Sequence, residues 1–175
     1  MTDAVLFAYV PVFRHYLGRI AGLSERANTD QLESRLSPDG FDALTHFAIA
    51  QGYVLRALLP VLGRDVPKMP DVADADGLKA RGALVGETLD AMTAVEFDGA
   101  VKRSVTHVAG EAELTQSAFD FLTLYAAPNF FFHMGQGYAI LRAQGADVGK
   151  GDFDGFHSYP KGFSFVTGAA ETVQQ

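Results

Sequence analysis

Apolar residues recur at spacings of three and four through four long stretches of the chain, and two connections rich in Pro, Asp and Gly punctuate them. In the first stretch Leu6, Tyr9, Phe13, Tyr16, Leu17, Ile20 and Leu23 mark one face, which predicts a helix over residues 3–27. Pro11 lies inside it, so the helix either kinks there or begins its regular part there. His15 and Arg19 fall off the apolar stripe, on the side expected to meet solvent. The polar segment ANTDQLESRLSPDG follows, with room for one helical turn around Leu32–Leu36. Residues 41–62 carry Leu44, Ala48, Gln51, Leu55, Leu58 and Leu62 in a heptad-like seam, a second helix closed by Pro60 and Gly63. After RDVPKMPDVADADG, Asp74 or Asp76 suits an N-cap. A third helix then runs to Met92, with Leu78, Leu84, Val85, Leu89 and Met92 facing the core.

The period changes over residues 95–114, where Val101, Arg103, Val105 and His107 alternate with their neighbours. This predicts a short β-hairpin or an extended crossover around the turn at residues 109–111. A connection of that length would let the third and fourth helices run parallel. Thr115 is the expected N-cap of a fourth helix reaching Ala143, interrupted near Pro128. Its second half, PNFFFHMGQGYAILRAQG, is apolar on nearly every side, the pattern of the central buried helix of a bundle. The last thirty residues, with Phe153, Phe156, Tyr159, Phe163 and Phe165, are too aromatic for a solvated tail and are expected to fold back onto the bundle or a partner chain. The organisation read from this is one all-α domain over residues 1–155 with an aromatic extension over 156–175.

Composition narrows the function. A formal charge of −7 with no basic run speaks against a nucleic-acid-binding surface. The absence of cysteine excludes disulfides, thiolate metal sites and a cysteine nucleophile. The start of the chain lacks a basic n-region, and no apolar run approaches a membrane span, so a cytoplasmic location is expected. No P-loop, dinucleotide fingerprint or GxSxG occurs, and Asp71, Asp74 and Asp76 do not follow the EF-hand pattern.

Candidate chemistry centres on His46, Asn129 and His133. Asn129 and His133 lie four residues apart, on one face of a helix. If the second and fourth helices face each other, His46 joins them. Two imidazoles and an amide oxygen can hold Zn²⁺ or Ni²⁺ with water completing the shell. The same residues also suit hydrogen-bonded core histidines, with Asn129 capping backbone freed by Pro128. Tyr53 and Gln136 fall near the same faces as ligand-pocket residues. His107 and His157 are expected to stand apart. Gly135 and Gly137 each cost helix stability and point to close helix approach, ligand access or plain tolerance.

The segments RLSPDGFDALTHFAIAQGYVLRAL, GRDVP and PNFFFHMGQGYAILRAQGADVGKGDF resemble an uncharacterised bacterial domain-of-unknown-function family. That family is a branch of the DinB/YfiT-like four-helix-bundle superfamily, with a PNFYFH…YAILR…G…GK.D signature on the last helix. The resemblance spans about residues 3–154 and implies a four-helix bundle with a long crossover before the last helix. It also implies a divalent metal held by three histidines, one on the second helix and an HxxxH pair on the last, in proteins some of which are thiol-dependent transferases or isomerases. His46 and His133 match two of those positions; Asn129 stands where the third histidine would be. Two functions follow. One is a non-catalytic small-molecule-binding or structural homodimer with a degenerate metal site. The other is a metal-dependent transferase or isomerase.

Overall fold

The computed structural model describes residues 3–160, 163 and 164. Phe165 and the rest of the expected aromatic extension to residue 175 lie outside the described residues. The chain forms α1 (Ala4–Phe7), α2 (Tyr9–Glu25), α3 (Thr29–Glu33), α4 (Ala43–Leu58) and α5 (Ala75–Asp90). Two 3₁₀ turns and a hairpin of β1 (Ser104–Ala109) and β2 (Ala112–Ser117) follow. The last long helix then runs as α6 (Ala118–Asp120), a π-helical stretch (Phe121–Ala126) and α7 (Ala127–Ala143), and α8 (Lys150–Asp154) closes the fold. The architecture is an all-α four-helix bundle of α2, α4, α5 and α7, with the hairpin in the connection before the last helix.

Local chemistry sets the boundaries. Pro11 has no N–H for the carbonyl of Phe7, and the helix breaks at Ala8. Asp42 caps α4 by accepting from the Thr45 N–H at 2.7 Å, and Asp74 caps α5 by accepting from Gly77 at 2.8 Å. Ser117, rather than Thr115, caps the last helix by accepting from the Asp120 N–H at 3.0 Å; Thr115 pairs with Thr106 across the hairpin. Of the two loop residues, Gly110 has φ +63° and Glu111 does not have a positive φ, the requirement of a type II′ turn. At the N-terminus the Asp3 carboxylate accepts from the N–H groups of Gly99 and Val101, which fastens the crossover to α1 and lowers its pKa.

Three of the expectations change. The central buried helix is α4, with thirteen of sixteen residues buried, against six of seventeen in α7. Phe130–Phe131–Phe132 runs round the helix, so Phe130 is in the core and Phe132 is 56% exposed. On α5, Leu84 is exposed while Leu78, Val85 and Leu89 are buried. The helix directions also differ. Arg14 meets Asp90 and Glu25 meets Lys79, so α2 and α5 are antiparallel. Phe47 lies against Gly137 and Tyr53 against Tyr125, so α4 and α7 are antiparallel. Gln51 meets Leu78 and Gly82, Gly52 meets Arg81, and Leu55 shares a cleft with Leu84, so α4 and α5 run parallel. The parallel pair is thus joined by the Pro-rich connection of residues 59–74, not by the hairpin crossover.

The C-terminal end of α8 is tied to α2. His15 Nε2 donates to the Asp154 carbonyl at 2.7 Å, and its ring stacks on Phe156 with centroids 5.0 Å apart. His15 is therefore a structural clasp rather than a solvated side chain. The Asp154 carboxylate accepts from the N–H groups of Phe156 and His157 and from the His157 ring, and these contacts hold its pKa down to about 2.

Candidate functional site

The antiparallel packing of α4 on α7 brings His46 and His133 into direct contact. Their Nδ1 atoms are 2.9 Å apart. One imidazole must donate and the other accept, so the accepting ring is neutral with a bare Nδ1 and the donor carries its proton at Nδ1. Burial pushes the His46 pKa down, partly offset by Asp42. Burial first, then His46 and Arg56, pushes that of His133 down to about 4. Each shift favours the neutral pair.

Aromatic rings enclose the pair. Tyr53 stacks on His133 at 5.8 Å, and Phe41 and Phe132 lie edge-on to His46 at 5.8 and 6.3 Å. Phe41 and Phe132 are each more than half exposed, so they form a rim in contact with solvent. Behind Tyr53, its hydroxyl lies 3.4 Å from that of Tyr125. Burial first, then the Tyr125 hydroxyl, raises the Tyr53 pKa to about 12. Tyr125 in turn packs on His107, with centroids 4.2 Å apart, and His107 Nε2 donates to Gln116 Oε1 at 2.8 Å. His107, expected to stand apart, belongs to this ring column. On the other flank the Arg56 guanidinium sits 4.1 Å over the Tyr53 ring.

Asn129 takes a backbone role. Its Nδ2 donates to the Tyr125 carbonyl at 2.7 Å, within the π-helical turn that precedes Pro128. Gln136 is half-buried within α7, and its side chain makes no hydrogen bond among the described residues. Tyr125, Arg56 and Phe41 went unnoticed in the sequence. Arg56 is three residues beyond Tyr53 and so on its face, which was a usable signal; the contacts of Tyr125 and Phe41 are long-range and had none.

The donor set differs from the three-histidine metal site that the family resemblance implies. A three-ligand catalytic centre needs three strong donors with free lone pairs. Here two imidazoles are hydrogen-bonded to each other, and the third position offers a neutral amide oxygen, a weaker donor than imidazole, while its NH₂ donates to the backbone. Among the described residues no three His, Cys, Asp or Glu side chains converge as a metal site.

Fold and site together define a DinB-like helical bundle with a hydrogen-bonded imidazole pair inside a cluster of aromatic rings that is open to solvent at Phe41 and Phe132. The structure resembles the crystal structure of a DinB family member protein from Shewanella denitrificans, with a TM-score of 0.77 and 24% identity over 90% of this chain and 96% of that one. Residues 7–154 match the family described as a domain of unknown function, DUF1993, and the chain belongs to that family. No curated protein matches it. Among the described residues no helix is long and apolar enough to cross a membrane.

Proposed function

We propose that the chain is a non-catalytic binding module. Its aromatic cleft takes a small molecule over the His46–His133 pair, which serves as a neutral hydrogen-bonding floor. The observation that carries this reading is the 2.9 Å contact between the two Nδ1 atoms, which occupies one Nδ1 lone pair and keeps the other Nδ1 protonated, whereas metal binding needs a bare ring nitrogen on each. The half-exposed rings of Phe41 and Phe132 offer apolar contact at the entrance, and Tyr53 and Gln136 offer polar contact.

Elemental analysis of untagged protein purified without chelator, followed by titration with Zn²⁺, Ni²⁺ and Mn²⁺, tests it. The expected result is no metal bound more tightly than about 0.1 mM, or roughly −5.5 kcal/mol. About one metal per chain, lost in His46→Ala, would overturn it and favour the metal-dependent transferase or isomerase. The module is further proposed to be a homodimer, because Phe132 and Leu124 on the last helix leave large apolar side chains in solvent. Light scattering should give twice the chain mass, and Phe132→Asp should halve it.

A further inference from the structure

Two arginines meet beside the aromatic column without an acid to neutralise them. Arg81 of α5 and Arg56 of α4 both reach over Gly52. A Cβ on Gly52 would lie 2.8 Å from Arg81 Nη2 and 3.3 Å from Arg56 Nη2, so both guanidiniums converge on one point above that glycine. Elsewhere Arg14, Arg26, Arg35, Arg64 and Lys79 each pair with a carboxylate. Neither Arg56 nor Arg81 has a carboxylate within salt-bridge distance among the described residues. Asp71 acts on Arg81 from farther away, and less strongly than Arg56 does. Arg19, Arg103 and Arg142 also lack an ion pair among the described residues, but only Arg56 and Arg81 are shown meeting as two guanidiniums over one glycine.

Their donors are largely unspent. Arg81 Nη1 donates to the Pro70 carbonyl at 3.1 Å, and its Nε is buried without a partner. Arg56 makes one long bond, to the Ile49 carbonyl at 3.4 Å, and is exposed. A guanidinium offers five N–H donors in a planar fork that matches a carboxylate or phosphate. Gly52, in the interior of the most buried helix, keeps the space over which the two forks close. Arg56 also covers Tyr53, which stacks on His133, so the cationic point adjoins the cleft.

We propose that Arg56 and Arg81 bind the oxyanion end, phosphate or carboxylate, of the small molecule that the aromatic cleft takes. This rests on the binding-module reading and gives its ligand a chemical class. The test is NMR on the whole ¹⁵N-labelled protein, following arginine Nε–Hε signals during titration with inorganic phosphate or acetate, against chloride at matched ionic strength. Saturable shifts at Arg56 and Arg81 are expected, and whichever anion binds more tightly identifies the headgroup. In Arg56→Gln, an exposed and readily tolerated change, affinity should fall about tenfold or more. Gly52→Ala should weaken binding while the fold keeps its thermal stability, because its methyl occupies the convergence point. Responses no larger than with chloride, or unchanged in both variants, would overturn the proposal. The two readings separate cleanly. Metal on the imidazole pair with anion still saturating the arginines removes the binding module and keeps the arginine site. A metal-free pair with arginines indifferent to both anions removes the arginine site alone.

Discussion

Gly135 and Gly137 look alike in the sequence but are held for different reasons. A Cβ on Gly137 would fall 2.5–2.8 Å from the ring of Phe47, which is fully buried and has nowhere to go. At Gly137, α7 passes close against the Phe47 ring of α4. A Cβ on Gly135 meets nothing within 4 Å. Gly137→Ala should therefore lose about 1–3 kcal/mol through overpacking, whereas Gly135→Ala should gain up to about 1 kcal/mol of helix propensity. Urea unfolding of the two variants checks this, and equal effects would refute it. The residue scale is also where the sequence was least legible. The spacing of Asn129 and His133 correctly put them on one helix, and His46 was correctly brought opposite. The Asn129 amide, however, turns back to the Tyr125 carbonyl, and the convergence of Arg81 on Arg56 joins side chains 25 positions apart. The first is a local contact, close to the backbone-capping alternative read for Asn129, whereas no local spacing encodes the second.

At the scale of elements, apolar periodicity found all four bundle helices and the hairpin, because amphipathic stripes and alternation report burial directly. It misjudged which helix is central. The last helix is apolar because it carries aromatic rings round its circumference, some of which face solvent at the cleft. The second helix is more buried although it contains Gln51 and His46, since each has a partner inside: the Leu78 carbonyl for Gln51 Nε2, although Gln51 Oε1 has none, and His133 for His46. Burial depends on satisfied polar groups as much as on apolar count. Helix starts were more legible, because caps are local. Asp42→Ala should cost about 1 kcal/mol by freeing the Thr45 N–H, measurable as a lower urea midpoint. Asn129→Ala should cost a similar amount, about 1 kcal/mol, by leaving the Tyr125 carbonyl short of a donor at the π-helical turn. An Asn129 variant of unchanged stability would show that the turn does not depend on that bond.

For the whole molecule, the neutral imidazole pair makes stability a function of pH. His133 has a pKa near 4 in the folded protein against an ordinary 6.5, and His46 is shifted in the same direction. Above 6.5 neither the folded nor the unfolded state takes up the proton, and the contribution of the pair is fully present. Between 6.5 and about 4 the unfolded chain binds protons that the native pair refuses, so stability falls as pH falls. Near 4 His133 also protonates in the native state, and once both rings are imidazolium neither can accept the bond between them. Carboxylates act in a lower window: Asp154, held near 2 against 3.8, contributes fully above 3.8 and loses that contribution as pH drops toward 2. Urea midpoints measured from about pH 7 down to about pH 4.5 isolate the histidine window from the carboxylate one. The wild-type midpoint should drop across that interval, and in His133→Gln the drop should shrink, since only His46 of the pair remains. An equal drop in both proteins would place the effect on other groups. It would also remove the neutral pair from the account of the cleft, because rings that titrate as they do in the unfolded chain are not held neutral by burial and by each other.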